Sequence, residues 1–290
     1  MSHSRTGLSN QEKEMIIAQA LETDEGRTAL AQAMVEPIRR SLEYQAVGRK
    51  LLMVDELPQG ALARYERDVA SIAHVVARRG AVPDQITEGE EVLVPTFEIA
   101  AYPTIRLSEI KARRFYIVDR AQIKAKEAIQ KEEDTNIFNA LIGAADNRGD
   151  QIVTDLGALS TASLNSAFRL IEQHDLVASK IVVHANRYAD IRTFGKEFYD
   201  EATTRELLMS GLYGHLWTAD IHVSSRMDTG TVLVVSAPET VGAFPVRQDI
   251  TVLPADDPRK LRLGWVIYEE VGIAILNDYA ISKIEVSEAS

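Results

Sequence analysis

The chain has 290 residues, no cysteine, a hydrophobic fraction of 46% and a net charge of −11. This composition predicts a globular protein of one large or two modest domains from a reducing cytoplasm, and it excludes disulfides, thiolate metal sites and cysteine nucleophiles. The acidic balance argues against tight, sequence-neutral DNA binding, and no stretch approaches the ~18 apolar residues of a membrane span or the apolar core of a signal peptide.

The first predicted element is a helical segment over residues 10–52, which is rich in good helix formers. Gly26, Pro37 and Gly48 divide it into shorter helices. Thin helices of this kind have little core of their own. We therefore expect this N-terminal segment to lie against another surface.

Short β-like runs follow over residues 61–113, including residues 70–77 and 95–99. Between these runs, residues 78–91 (RRGAVPDQITEGEE) hold two glycines, one proline and no apolar periodicity. We predict a long hairpin with a polar, projecting tip, because loops of this length without internal structure are uncommon in compact domains unless they have a function. A disordered surface loop fits the same composition, and that alternative stays open.

A long helix is predicted over residues 115–145, where Gly143 is the only glycine and proline is absent. At about 1.5 Å per residue it forms a spine of roughly 40 Å across a flat domain. One face carries a narrow stripe of small apolar residues, namely Val118, Ala121, Ala125 and Ala128. The opposite face is charged, with Lys124, Glu127, Lys131 and Glu132.

The second half predicts helices over residues 160–173, 185–193 and 203–212, with a buried strand over residues 180–184. Strands then follow over residues 220–223, 230–235, 240–246, 250–253, 261–275 and 280–286. Asn277 and Asp278 provide a turn between the last two, which we expect to form a long antiparallel pair. Blocks of this kind, without regular βαβ alternation, indicate an α+β fold.

Catalytic signatures are absent from the sequence. The motifs of nucleophile-elbow hydrolases, P-loop enzymes, Rossmann enzymes and zincins do not occur. His215 and His222 are seven residues apart with no third ligand nearby, so we interpret them as structural, with Trp217 and Ile221 in the core of the same stretch. We expect no cofactor, no metal and no enzymatic activity.

The acidic residues around the end of the long helix also fail as a metal site. Asp146, Asp150 and Asp155 do not follow the spacing of a calcium-binding loop. Arg148-Gly149-Asp150 matches an adhesion tripeptide, but after a long helix we interpret it as a C-terminal turn.

The order of these parts resembles the major capsid protein of tailed bacteriophages, the capsid fold shared with encapsulin shells. Residues 206–236 (ELLMSGLYGHLWTADIHVSSRMDTGTVLVVS) are similar to a family stretch in which a glycine-rich aromatic run leads into two apolar strands around a polar turn. Residues 180–194 (KIVVHANRYADIRTF) resemble the strand and short helix of the same family.

The resemblance implies four parts and a function. The parts are an N-terminal arm (residues 1–55), an E-loop hairpin (56–112), a P-domain with spine helix and long β-strands (113–150 and 256–290) and an α/β A-domain (151–255). It implies a structural protein that self-assembles, as hexamers and pentamers, into an icosahedral head shell around double-stranded DNA. Portal, scaffold or cement proteins are possible further partners, and the site of action is the virion, after synthesis in the bacterial cytoplasm.

The resemblance also places the subunit contacts. We expect the charged E-loop tip to pair with a neighbouring spine, through Arg78, Arg79, Glu88, Glu90 and Glu91 on the tip and Lys124, Glu127 and Lys131 on the spine. Some family members crosslink through an E-loop lysine, but no lysine occurs between Lys50 and Lys111. We therefore expect a non-covalent shell. An encapsulin-type nanocompartment, another virion structural protein and a cytoplasmic α+β enzyme are the alternatives.

Overall fold

The computed structural model describes residues 47–58, 60–67, 90–106, 108–109, 116–194 and 214–287. Within these ranges only the backbone is described at Arg67, at Glu90 and at several positions in the first turns of the long helix. The expectations for residues 1–46, for the tip of the hairpin and for a helix over residues 203–212 lie outside the described residues.

Most of the described strands are short, and two consecutive strands, β11 and β12, are long. In chain order they are β1 (Met53–Glu56), β2 (Arg64–Arg67), β3 (Glu90–Leu93), β4 (Thr96–Ala101), β5 (Thr104–Arg106), β6 (Ile152–Leu156), β7 (Ala178–Val183), β8 (His215–Leu216), β9 (Ala219–Val223), β10 (Thr231–Ser236), β11 (Gly242–Pro254), β12 (Arg262–Gly272), β13 (Ala274–Ile275) and β14 (Ile281–Ser287).

The described helices confirm the predicted spine and the two helices that follow it. They are α1 (Tyr116–Arg148), α2 (Thr161–Glu172), α3 (Ala185–Arg192) and the short α4 (Pro238–Val241). α1 has 33 residues, which makes a rod of about 50 Å. None of the helices in the described ranges is long and apolar enough to cross a bilayer.

The described residues form two compact units. The smaller unit comprises residues 97–134 and 246–271, and the larger unit comprises residues 47–96, 135–245 and 272–287. The boundary falls within α1 and within β11. The division into arm, E-loop, P-domain and A-domain is one of assembly roles and stays a prediction.

The larger unit is built on a six-stranded sheet with the order β6-β14-β10-β7-β9-β8. β10 pairs antiparallel with both β14 and β7, whereas β14 with β6 and β7 with β9 are parallel. Residues 232–235 of β10 are completely buried. Such an unbroken apolar run is typical of a central strand that is covered on both faces.

Helix α2 covers one face of this sheet. Leu164, Ala167, Phe168 and Ile171 recur at helical spacing, are buried, and pack in one cluster with residues of β7, β9, β10 and β14. The sequence therefore places a helical stripe against strands whose alternate residues point to the same side.

The start of α2 is fixed by a hydrogen-bond network around Asp155, at the end of β6. The Ser160 hydroxyl accepts from the backbone N–H of Ser163, as an N-cap does. The Asp155 carboxylate accepts from the Ser160 N–H at 2.8 Å and from the Ser163 hydroxyl at 2.6 Å. Partial burial opposes ionisation, but these hydrogen bonds outweigh it and hold the pKa of Asp155 below its usual value.

The C-terminal half of α1 belongs to the larger unit and ends beside the sheet. Lys283 of β14 is 5% exposed and pairs with the carboxylates of Asp146 and Glu285. Burial lowers the pKa of Lys283, but hydrogen bonds to these two carboxylates raise it more. Gly149 follows the helix at φ 68°, where glycine is favoured, and this confirms that the Arg148-Gly149-Asp150 tripeptide is a turn.

The smaller unit contains the hairpin of β11 and β12, with β4 and β5 alongside β12. Tyr102 packs over Gly264 and donates a hydrogen bond from its hydroxyl to the Ala255 carbonyl at 2.9 Å. A Cβ atom at residue 264 would lie 2.8 Å from the Tyr102 ring, so only glycine permits this packing. Arg247 and Glu270 form an ion pair across the hairpin at 2.7 Å.

The expected pairing of the last two long strands is wrong. β12 pairs with β11, in a register that joins Val246 to Val271 and Pro254 to Trp265. β14 instead inserts between β6 and β10 in the sheet of the larger unit. The segments predicted at 240–246 and 250–253 are one strand, β11, whose ladder has register shifts between Val246 and Thr251.

Two residues predicted for the core lie elsewhere. Trp217 is 44% exposed, because β8 and β9 are joined by a two-residue turn that holds Trp217 at φ 54°. Its ring still meets Phe168 edge-on, with the centroids 5.0 Å apart. On α1, Ala125 and Ile129 are buried whereas Ala128 is exposed, so the buried stripe follows i, i+4 spacing. Ile221 is buried, as predicted.

The two histidines of this stretch have separate surroundings. His215 pairs with Asp220 across the β8–β9 turn at 2.9 Å, and both side chains are more than half exposed. His222 is half-buried on β9. Burial, followed by the positive charges of Lys50 and Lys180, lowers its pKa to about 4, and the Asp220 carboxylate opposes this only in part.

We expect Asp155→Asn to lower the free energy of unfolding by about 1 kcal/mol, because the amide keeps only part of the acceptor set at the start of α2. Chemical denaturation of the wild-type and variant chains measures this. Asp175→Asn is the matched control, since Asp175 is exposed in a turn at φ 59° that asparagine also adopts, and it should change stability little. Equal losses in both variants would contradict the network.

The lowered pKa of His222 gives a stability term that is fully present above its ordinary value of about 6.5 and is lost as the pH falls through about 4. Between these two pH values the imidazole of His222 binds a proton in the unfolded chain but stays neutral in the folded chain. We expect His222→Gln to flatten the pH dependence between pH 7 and pH 4 by on the order of 1–2 kcal/mol, after discounting for partial exposure. Denaturation at a series of pH values tests this, and identical slopes in both chains would refute it.

Candidate functional site

Of the charged residues predicted to make subunit contacts, those of the E-loop tip are described only in part. Arg78, Arg79 and Glu88 lie outside the described residues, and for Glu90 only the backbone is described, in β3. Glu91 lies on β3 and pairs with Arg64 of β2, with 3.2 Å between the Arg64 Nη1 and Glu91 Oε1 atoms. Both side chains are more than half exposed, so this pair contributes little to stability.

The β2–β3 ladder is the base of the predicted hairpin. The two strands pair antiparallel in a register that places Arg64 opposite Leu93 and Arg67 opposite Glu90. In the described residues they form a sheet of their own, and residues 68–89 connect them. Two strands with open edges are marginally stable alone and are a ready template for further contacts.

One face of this ladder packs within the larger unit. Tyr65 and Val92 rest against a small cluster that includes Ala63 and Val94. The Tyr65 hydroxyl donates to Asp55 at 2.8 Å, and burial together with that hydrogen bond raises the pKa of the phenol.

The other face of the ladder is exposed and mixed in character, because it carries the Arg64–Glu91 ion pair beside Leu93, which is 60% open to solvent. Leu62, just before β2, is 54% open to solvent. Our sequence reasoning missed these two residues. The signal lies in the two-residue alternation of ALARYE, where Ala63 and Tyr65 form the inward set and Leu62 therefore belongs to the outward set.

The charged residues of α1 are exposed, but the prediction that Lys124 lies opposite the stripe of small residues is wrong, because Lys124 shares a groove with that stripe. Lys124, Glu127 and Lys131 are all exposed. Lys124 also lines a groove of about 580 Å³ between α1 and the β4–β5 segment. Small residues form much of the groove wall, including Ala121, Ala125 and Ala128, and Glu109 adds a second charge.

These surfaces have the character of contact areas. In the described ranges no group of His, Asp and Glu side chains is arranged to hold a metal ion. His215 and His222 do not converge, and the described part of the stretch 213–225 forms strands and turns of the larger sheet. Exposed leucines and exposed rows of charged residues suit binding to another macromolecule.

No protein-family model matches the chain, and no curated protein matches it. The chain does match solved structures. A protein of Microbacterium phage Oxtober96 is 14% identical with a TM-score of 0.66, and the match covers 84% of this chain and 91% of that one.

Two further similar structures are of named assemblies. The "Capsid structure of the Cyanophage P-SCSP1u" is 12% identical with a TM-score of 0.60, covering 84% of this chain and 89% of that one. The "virus-like particle from Pyrococcus furiosus" is 17% identical with a TM-score of 0.57, covering 88% of this chain and 99% of that one. At these identities the likeness shows the fold: the chain has the α+β fold of tailed-phage major capsid proteins.

Proposed function

We propose that this chain is the major capsid protein of a tailed bacteriophage and assembles into the icosahedral head shell around double-stranded DNA. The observation that carries the proposal is the likeness of fold over more than four-fifths of the chain to solved phage proteins, one of them described as a capsid. We propose a structural role without enzymatic activity. The site of action is the virion, after synthesis in the host cytoplasm.

The physical properties of the subunit support a shell. The β2–β3 ladder has one packed face, and on its other side Leu62 and Leu93 lie exposed near the Arg64–Glu91 ion pair, so a neighbouring subunit can bury two leucines there. Modest contacts of this kind, repeated around a closed particle, sum to a stable assembly. A net charge of −11 suits a container that encloses DNA without binding it tightly.

We further propose that the charged tip of the E-loop pairs with a neighbouring spine. The exposure of Lys124, Glu127 and Lys131 on α1 supports this, because these side chains are accessible to a partner. Glu91 already has Arg64 as a partner within the subunit, so it contributes less to such a contact than Arg78, Arg79 or Glu88.

An encapsulin-type nanocompartment is the second candidate. The likeness to the virus-like particle from Pyrococcus furiosus, which covers 99% of that chain, favours it. Both candidates build a shell from many copies of a single type of chain. The contents of the shell distinguish them, because a phage head holds packaged DNA and a nanocompartment holds a protein cargo. Portal, scaffold or cement proteins belong to the phage proposal alone.

Expression of the chain alone, and then together with its neighbouring genes, tests the shell. We expect hollow particles tens of nanometres across in negative-stain electron microscopy and megadalton masses in light scattering. Because no lysine occurs between Lys50 and Lys111, the denatured particle should give a single species at the 32.1 kDa of one subunit. A chain that stays monomeric or dimeric under all these conditions would reject the shell, and higher covalent species would reject the non-covalent shell.

Reversal of the two E-loop arginines, Arg78→Glu with Arg79→Glu, should reduce assembly severalfold at physiological salt while leaving the unfolding midpoint nearly unchanged. The assembled fraction is measured by sedimentation velocity. Arg169→Glu with Arg226→Glu is the matched control, since it makes the same change in net charge at two exposed positions. If both pairs of substitutions impair assembly equally, total charge and not the E-loop is responsible.

A further inference from the structure

The face of the larger sheet opposite α2 carries ionisable side chains beside its apolar centre. In the strand registers Val182 pairs with His222 and with Leu233, and Lys180 pairs with Asp220, so these side chains point to the same face. Val182 and Leu233 are completely buried, whereas Lys180 and His222 are half-buried. The ionisable residues therefore border the buried centre on the side of β9.

A short 3₁₀ turn, Gly48–Lys50, is attached to this face. The Nζ atom of Lys180 donates a hydrogen bond to the Lys50 carbonyl at the end of the turn. The next two residues, Leu51 and Leu52, are buried. We call the hydrogen bond between Lys180 and Lys50 the clasp, because it joins the first described residues of the chain to β7.

Two positive charges lie close to His222 at the clasp. Burial is the largest cause of the lowered pKa of this imidazole, and the charges of Lys50 and Lys180 lower it further. A proton on His222 therefore adds a third positive charge beside two that repel it. Lys283, in the same row across the sheet, is three strands away and has carboxylate partners of its own.

Two carboxylates oppose these positive charges. Asp220 acts on both His222 and Lys180, and it is also paired with His215 of β8 at 2.9 Å. Glu239 of α4 is the second carboxylate that acts on Lys180. Because the two lysines and the two carboxylates balance, a proton on His222 leaves the group with an uncompensated positive charge.

We propose that the clasp is a pH-sensitive attachment of the N-terminal part of the chain. It is closed while His222 is neutral, and it opens when the imidazole binds a proton, which frees residues 47–50 from β7. Residues 1–46 are joined to the sheet through this turn, so the clasp sets how firmly the N-terminal part of the chain is held there. The proposal goes beyond the proposed function and does not require a shell.

The direction of the response follows from proton binding. In the open state His222 is in water and away from both lysines, so its pKa returns toward the ordinary 6.5, whereas it is about 4 in the closed state. The open state thus binds the proton more tightly, and a lower pH shifts the equilibrium toward it. Full exposure of His222 on opening raises the open population about 20-fold between pH 7 and pH 5, and partial exposure raises it less.

Hydrogen exchange of the Lys50 and Leu51 amides measures opening, because these N–H groups bond to the Val47 and Gly48 carbonyls within the turn. A single 3₁₀ turn is unstable without contacts elsewhere, so release from β7 exposes both amides. After correction for the intrinsic exchange rate, we expect the open population of the dissociated, full-length chain to rise about 3- to 20-fold from pH 7 to pH 5. The Leu164 amide in α2 is the internal control and should change less than about twofold.

Three substitutions test which residues are responsible. His222→Gln keeps a polar side chain but binds no proton, so opening should agree at the two pH values to within about twofold. His174→Gln is the matched control, because it removes a histidine that packs on Tyr279 outside the clasp, and it should keep the wild-type response. Lys180→Met removes the donor of the clasp and should raise opening at pH 7 at least about threefold.

A wild-type rise of less than about threefold, or an equal rise at Leu164, would overturn the proposal, as would unchanged opening at pH 7 in Lys180→Met. A pH response that persists in His222→Gln, or that is lost in His174→Gln as well, would overturn the role of His222. The wild-type series and Lys180→Met do not depend on the folding of the glutamine variant. All these measurements are made without particles, so failure of the clasp is distinguished from failure of the shell.

Discussion

The ladder that joins β10 to β14 and β7 is the constraint on which the larger unit depends. Residues 232–235 are completely buried, so each backbone N–H and C=O of this strand must find its partner in the sheet. The ladder fixes where Lys283 meets Asp146 at the end of α1, and where the inward residues of β7 and β9 meet α2.

The sequence predicted the positions of helices and strands better than it predicted which strands pair with each other. α1, α2, α3 and β7 were recognised because helical spacing, the Ser160 cap and a short apolar run are local signals. The pairing of β12 with β11 was missed, because the sequence of an apolar strand does not indicate which distant strand it pairs with. Trp217 was placed in the core because its size suggests burial, whereas the two-residue turn after Leu216 decides its position.

The proposed contact surfaces were predicted from charge, and the structure adds exposed leucines to them. The exposed row Lys124, Glu127 and Lys131 could be seen as one helical face in the sequence. The exposure of Leu62 and Leu93 could not, because a leucine in a strand or turn is usually read as core. Charged residues guide an encounter between subunits, while buried apolar anchors hold them together, so both kinds of residue are needed in a stable shell.

The position of β14 sets the order in which the molecule can form during synthesis. This strand lies between β6 and β10 and pairs in parallel with β6, which is more than 120 residues earlier in the chain. Until residues 281–287 leave the ribosome, the facing edges of β6 and β10 have no strand between them, and open edges bind other chains without selection. Because this pairing joins distant parts of the chain, it forms late, and the sheet of the larger unit is complete only after β14 has been synthesised.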